Sequence, residues 1–560
     1  MRTSPLWFPL ACTLSMVVSS AHSLPQDLLP RTTAENSDWA STSTHSDVSA
    51  FLEQLAGLYG SDLMAVEGIG ESKEGRELLL VRLGSPLPAS ADAHACGDRL
   101  RVLITGNIHG GEVEGKEALQ QIMRELVTGQ HGPLLEKVAL FFVPVYNADG
   151  NDAIARTNRV SQNGPDGGVG ERANGQGLDL NRDFIKAESP ECQALLGLMN
   201  GLDPHLYVDL HTTNGSDHAY HLTYAPSLST NVDADLDRMA REEFLPGVRA
   251  AMARRAGWRI FDYGNFSGRE QVQWTTYDHR PRFGTNYVGL RNRFSILSEA
   301  YSYLPFHERV DVTHDFVLEI LAYAAENADA LRAACDAADA RALGGDVTFG
   351  VDTSLAAGRA LEVMRGNLTS VELPGLGTRR VVGDEWTAET MQVRVSFESK
   401  RQVPLPTAWA LPKPGPEVLK RLAWHGLQVI HLEEEVPSTL NTIEIMFELE
   451  CFEIEEIRRA KRLFQGHHET SVRGKWRTRV GTLPAGTVLV SARQPRARVA
   501  AQLLEPESED GLVTWNFLDD SLPEAVREDS FISPLLFPVW RIQSVTETSP
   551  LFALLNPKQP

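Results

Sequence analysis

The sequence predicts an α/β fold: a mixed, mostly parallel sheet with helices on both faces, followed by a β-rich C-terminal module. Three observations carry this. Continuous apolar runs, each short and rich in β-branched or aromatic residues, alternate with amphipathic helical stretches over the first 340 or so positions. Strands buried on both faces read as unbroken apolar runs, and such strands separated by helices imply a sheet covered on both sides. After about residue 345 the character changes to short β-prone runs separated by proline-rich turns. A chain of 560 residues is also too long for one ordinary domain.

Taken in order, residues 1–23 read as a signal peptide. Arg2 supplies the positive start, PLWFPLACTLSMVVSSA the apolar stretch, and Ala21-His22-Ser23 the small residues of a cleavage site. The run is too short and too rich in proline for a membrane span, and no later segment is long enough for one. Export, to the exterior or a periplasm, is the expectation. Residues 24–45, rich in Ser, Thr and Asp, read as an extended lead-in. SDVSAFLEQLAGLYG has helical spacing, with Ser46 as its cap. RELLLVRLG, RLRVLITGNIHG, KVALFFVPVYNADG, HLYVDLHTTNG and FSILSEAYSY read as strands. GKEALQQIMRELVTG and ECQALLGLMNG read as helices, and one long helix over VTHDFVLEILAYAAENADALRAACDAADARAL closes the region 46–343. Residues 344–560 form the β-rich module, whose role and partner the sequence does not disclose.

The net charge, 53 − 74 = −21, leaves no basic surplus for a nucleic-acid backbone. Four cysteines follow the leader, Cys96, Cys192, Cys335 and Cys451, and none has metal-ligand spacing. They are either paired, in one of three ways, or buried thiols.

Four stretches carry chemistry. Ile108-His109-Gly110-Gly111-Glu112 lies between a strand and a helix, where α/β proteins place their ligands. Two glycines let the backbone turn so that His109 and Glu112 face one ion. Tyr207-Val208-Asp209-Leu210-His211 brings a second histidine to another strand end, with Asp209 on the same face to orient a ligand. Two histidines and one carboxylate are a common catalytic zinc set. Gly177-Leu178-Asp179-Leu180-Asn181-Arg182 offers a guanidinium beside an amide, suited to a carboxylate. Glu299, late in the strand FSILSEAY, is a lone carboxylate in apolar company, and such a group needs a partner or a task.

In this order the four resemble the zinc carboxypeptidases of the carboxypeptidase A type. EGIGESKEGRELLLVRLG and Tyr146-Asn147-Ala148-Asp149-Gly150 are similar to further motifs of that family, over about residues 46–335. The resemblance implies one zinc ion on His109, Glu112 and His211, with Glu299 as general base for a water. Asn181 and Arg182 would grip the free C-terminus of a peptide substrate. Arg156 would polarise the scissile carbonyl, with Arg159 and Arg172 as rivals. A substrate-capping tyrosine is expected at Tyr287 or Tyr277, and the base of a side-chain pocket near Phe283-Gly284-Thr285, where no acidic or aromatic signature marks a preference. Competing readings are an amidase or deacylase, a cell-wall peptide hydrolase, or a non-catalytic zinc-binding or adhesion protein. His218 and His221 are cleft candidates or plain loop residues. Gly466-His467-His468-Glu469 lacks a third ligand nearby and is expected to face solvent. Asn265 and Asn367 sit in glycosylation sequons.

Overall fold

The structure is a computed structural model that describes residues 28–59, 62–213, 216–432, 447–522, 535–544, 553 and 555. The leader at 1–23 lies outside the described residues. The chain begins with strands β1 (Met64–Glu71), β2 (Glu77–Leu83), β3 (Leu100–Gly106), β4 (Val138–Val143) and β5 (Leu206–Thr213). They are followed by β6 (Leu222–Pro226), β7 (Ile260–Asp262), β8 (Asn265–Ser267), β9 (Gln273–Thr275) and β10 (Phe294–Tyr301). Eight of these form one sheet in the order β1-β2-β4-β3-β5-β10-β6-β7. Its centre, β4-β3-β5-β10, is parallel, while β1-β2, β2-β4 and β10-β6 are antiparallel pairs and β7 runs parallel to β6. Every residue of β4 and β5 is buried. This is why those strands read as unbroken apolar runs. Helices Glu114–Val127 and Phe306–Glu326 pack on one face, and Pro190–Leu202 contributes to the core on the other.

Two expectations are corrected. The lead-in expected at 24–45 is not extended over its described residues, 28 onward: Thr33–Asn36 forms a helical turn closed by a capping box between Thr32 and Glu35. Glu35 then pairs with Arg124 at 2.6 Å, and the buried Glu117 accepts from Thr42 and Ser43, so this segment is fastened to the sheet-covering helix. The single long helix is two helices, Phe306–Glu326 and Ala328–Gly344, broken at Asn327, whose side-chain amide donates to the Tyr323 carbonyl. Asparagine competes for backbone partners in this way and ends helices.

Residues beyond 345 are strand-rich: β11 (Thr348–Leu355), β12 (Arg359–Leu373), β13 (Gly377–Arg394), β14 (Phe397–Pro404), β15 (Ala408–Pro412) and β16 (Val429–His431). Then come β17 (Phe447–Arg459), β18 (Thr470–Gly481), β19 (Thr487–Ser491) and β20 (Trp540–Ser544). They are not a separate body. β13 pairs in parallel with β9, forming the sheet β12-β13-β9-β8. One apolar core also joins Leu196, Met199 and Tyr287 to Trp409, Leu422 and Trp515. Apolar burial is worth about 25 cal/mol per Å², and a cluster of this kind resists separation.

Candidate active site

The parallel centre of the sheet brings three chemical residues to one edge. His109 follows β3, His211 lies late in β5, and Glu299 lies late in β10, opposite His211 in register. The turn after β3 is built by Asn107, whose φ is +64° and whose amide donates to the carbonyls of His109, Gly110 and Glu112. The two glycines serve close packing. A Cβ on Gly110 would stand 2.2 Å from the Gly150 carbonyl carbon, and one on Gly111 2.6 Å from the Gly170 oxygen.

His109 Nδ1 lies 2.9 Å from Glu112 Oε1, and His211 Nδ1 lies 2.9 Å from Glu112 Oε2. The far nitrogens are held by aspartates. His109 Nε2 is 3.1 Å from Asp179 Oδ1, and His211 Nε2 is 2.9 Å from Asp209 Oδ2. Asp209 is fixed in turn by the Thr105 hydroxyl at 2.9 Å. An imidazole whose Nε2–H serves a carboxylate presents a bare lone pair at Nδ1. Here both lone pairs meet carboxylate oxygens, an arrangement that requires either extra protons or a cation between them. Two imidazoles, one carboxylate and carboxylate-held far nitrogens fit a zinc ion. The three donor groups are buried and lie within 4.8 Å of one another. The electrostatics agree. Burial works against charge on His211, yet Asp209 and Glu112 raise its pKa well above the ordinary range. Burial likewise opposes the Glu112 carboxylate, but His109 and Arg159 hold its pKa well below the usual range.

These ligands line a cleft of about 690 Å³ with Arg172, Asn181, Arg182, Tyr263, Tyr277, Phe283 and Glu299. Burial pushes the Glu299 carboxyl up to about 8, with His211 opposing and Glu112 reinforcing the shift. A cation beside it would draw that value back down. Asp179 caps the turn Leu180–Arg182 by accepting from the Asn181 amide. Asn181 Oδ1 accepts from the Gly284 N–H at 2.9 Å, and the Arg182 guanidinium lies 3.9 Å over the Phe283 ring. The two residues expected to grip a carboxylate are thus fixed in place.

Two expectations fail on geometry. Arg156 is exposed and borders a neighbouring cavity with Gln162 and Arg379, not the cleft. Of its rivals, Arg172 lines the cleft, while Arg159 borders the same neighbouring cavity as Arg156 and reaches the site through Glu112. Arg159 donates to Glu112 Oε1 at 2.5 Å, and Arg172 reaches Asp179 at 2.8 Å with Nη1 3.3 Å from His109 Nδ1. Tyr287 is fully buried, its hydroxyl 2.9 Å from His425 Nδ1 in the core shared with the C-terminal strands. The cleft-lining tyrosines are Tyr277 and Tyr263. His218 and His221 are packing residues: His218 is buried 4.0 Å from the Tyr301 ring, and His221 Nδ1 accepts from the Arg259 amide. All four cysteines are free and buried.

The least expected contributor is the turn between β17 and β18. Phe464 and His467 pair across Gln465 and Gly466, both with positive φ, which closes a tight two-residue hairpin. Phe464 lines the cleft, and Gln465 Oε1 accepts from the Asp179 N–H at 2.9 Å. Glu469 pairs with Arg282 at 2.8 Å and His467 with Glu188 at 2.9 Å. Of the segment read as facing solvent, Gly466 and His468 are exposed, while His467 and Glu469 are held by ion pairs, and the neighbouring Phe464 forms a wall of the cleft. Its one local signal is Gln465-Gly466, a turn dipeptide that says nothing about what the turn touches.

Residues 48–281 match the family model described as zinc carboxypeptidase. Carboxypeptidase 2 of Trichophyton tonsurans is 22% identical over 472 residues, covering 80% of this chain and 79% of that protein. Mouse (Mus musculus) carboxypeptidase D is 34% identical over 148 residues, 24% of this chain and 11% of that protein. Among solved structures, carboxypeptidase A from Helicoverpa armigera aligns at 17% identity with a TM-score of 0.39, covering 52% of this chain and 75% of that one. A metallo-carboxypeptidase from Burkholderia cenocepacia aligns at 17% identity with a TM-score of 0.38, covering 50% and 69%.

Proposed function

From the membership of residues 48–281 in the zinc carboxypeptidase family, which makes this chain a metallocarboxypeptidase, we propose that it removes the last residue of peptides with a free C-terminus. The observation that carries this reading is the meeting of three functions in one cleft: a two-histidine, one-carboxylate donor set, a spare carboxylate at Glu299 and a fixed guanidinium at Arg182. One zinc ion held by His109, Glu112 and His211 would supply Lewis acidity toward a water and the scissile carbonyl.

The chain's own groups do the rest. Asp179 and Asp209 hold the imidazoles so that each Nδ1 faces inward. Glu299 accepts the proton of the attacking water at its carboxylate and returns it to the leaving amino nitrogen as the C–N bond breaks. Arg172 puts positive charge where the carbonyl oxygen becomes negative, and Arg159 acts through its ion pair with Glu112. Arg182 and Asn181 bind the terminal carboxylate, and that grip sets which bond is cut. Residues 1–23 direct the protein to export.

The test is Glu299→Gln. The side chain keeps its shape and loses its basicity, so turnover of short acyl-dipeptides should fall by about 10² to 10⁴-fold while zinc remains bound stoichiometrically. A chelator should abolish activity of the parent enzyme, and zinc should restore it. Wild-type rates in the glutamine variant would remove Glu299 from the reaction.

A further inference from the structure

A second cavity, of about 220 Å³, lies at the opposite edge of the sheet, beside the entries to β5 and β10. Asp203, Arg291, Arg293 and Asp339 line it from the N-terminal region. Gln428, Gln494 and Arg496 line it from the C-terminal region. Its charges do not balance locally. Arg293 takes both carboxylates, Asp203 at 2.5 Å and Asp339 at 2.8 Å, and Asp203 also serves Arg101 at 3.7 Å. Arg291 donates to neutral oxygens, Asn200 Oδ1 at 3.1 Å and the Met199 carbonyl at 2.8 Å. Arg496 donates to the carbonyls of Gly426 at 2.7 Å and Asn200 at 3.5 Å. Three guanidinium groups thus face two carboxylates across the cavity, and Arg101, outside its lining, draws on Asp203 as well, so positive charge is in surplus.

Two further observations point the same way. The Arg293 side chain is 6% exposed, and its Nε has no hydrogen-bond partner among the described residues. Arg496 is also the N-cap of the helix Ala497–Leu504, whose first turn no side chain caps. Burial, with Arg291 adding repulsion, pushes Arg496 down to about 10. Buried guanidinium groups without a counter-charge are costly, and they are kept where an anion completes them. Forked donors beside a helix N-terminus match tetrahedral oxyanions.

We propose that this cavity binds a small doubly charged oxyanion of the phosphate class, either inorganic phosphate or a phosphomonoester. The anion would neutralise the surplus and tie Arg291 and Arg293 of the N-terminal region to Arg496 of the C-terminal region. A cavity of about 220 Å³ leaves room for a small ester substituent.

Calorimetric titration of the zinc-loaded protein at constant ionic strength tests this, with inorganic phosphate and glycerol phosphate in separate arms. Saturable binding of phosphate is expected, weakened about tenfold or more in Arg496→Gln. Phosphate should raise the unfolding midpoint of the parent but not of that variant, whose peptide hydrolysis stays at the parent rate. Saturation by phosphate alone identifies the free ion as the ligand, and saturation by both extends the site to esters. No saturable heat up to about 20 mM would overturn the proposal. So would equal affinity in Arg496→Gln, since that places the anion elsewhere, the catalytic cleft included. Should Arg496→Gln not fold, Arg496→Lys keeps the charge and loses the fork, and the same loss of affinity is required of it.

Discussion

Replacing Arg182 by alanine separates exopeptidase chemistry from hydrolysis in general. The guanidinium is largely buried, is held by the Asn181 carbonyl at 2.7 Å, and lies over Phe283. Burial lowers its pKa, with Arg172 and Arg282 repelling and Asp179 opposing. Much of its desolvation has therefore occurred before substrate arrives, and a carboxylate bound there gains more than it would in water. Losing one partner of a desolvated, hydrogen-bonded charge pair costs about 2–5 kcal/mol. At about 1.4 kcal/mol per decade, kcat/KM for a free-terminus peptide should fall roughly 30- to 4000-fold. The assay is paired: one acyl-dipeptide with a free C-terminus and the same peptide amidated. The parent enzyme should prefer the free form by the full factor, and Arg182→Ala should bring the two rates together by losing only the faster. An unchanged preference in the variant would refute the assignment of Arg182 and, with it, the exopeptidase reading.

Gln465→Ala strips the Asp179 N–H of its acceptor and should lower zinc affinity and kcat several-fold, since a lost buried hydrogen bond costs about 1 kcal/mol. Competition with a chelator dye reads the first and steady-state kinetics the second, while an unfolding midpoint equal to the parent's excludes a merely global effect. Gly110→Ala drives a Cβ into the Gly150 backbone, which has no side chain to move aside, so a loss of about 1–3 kcal/mol in chemical denaturation is expected, together with weakened zinc. His314 provides a pH signature. Burial opposes its charge, but Asp315 at 3.2 Å and Glu125 at 3.1 Å raise it to about 9 from an unfolded value of 6.5. A raised histidine stabilises fully below its unfolded pKa and loses that contribution as pH climbs through the folded one. The parent should therefore lose on the order of 1–3 kcal/mol between pH 6.5 and 9 that His314→Gln does not lose. Parallel stability curves for the two proteins would contradict the ion pairs.

The candidate metal donors His109 and His211 were legible because each lies at or just past a strand end that the sequence marks by itself, an apolar run closed by glycine or histidine, and Glu112 follows in the turn that leads into the helix Glu114–Val127. Glu299 was legible for the same reason, as a lone carboxylate late in an apolar strand, whereas Arg182 stood out as a guanidinium beside an amide in a turn. The tyrosines were not. Tyr287 lies in the helix Gly284–Leu290, whose residues are all buried, while Tyr277 precedes it in a loop, and spacing from Glu299 does not separate the two. Arg156 and Arg172 could not be ranked because the path of the insert between them depends on tertiary packing. Gly170 is pressed against the carbonyls of Gly150 and Gly110, and this carries Arg172 over His109. Nothing local announces that Gln465 meets Asp179, a bond closed across 286 positions. The shared core was hidden likewise, because an apolar strand face does not name its partner.

The hairpin tip at Phe464 and Gln465 makes the cleft depend on chain far beyond its reactive groups. The sheet, the candidate metal donors and Glu299 all lie before residue 302, yet the Asp179 side of the cleft is closed by the hairpin of β17 and β18. Every candidate reactive group therefore precedes in the chain the strands that complete the cleft wall, so a C-terminal truncation before residue 447 would keep the chemistry and lose the wall.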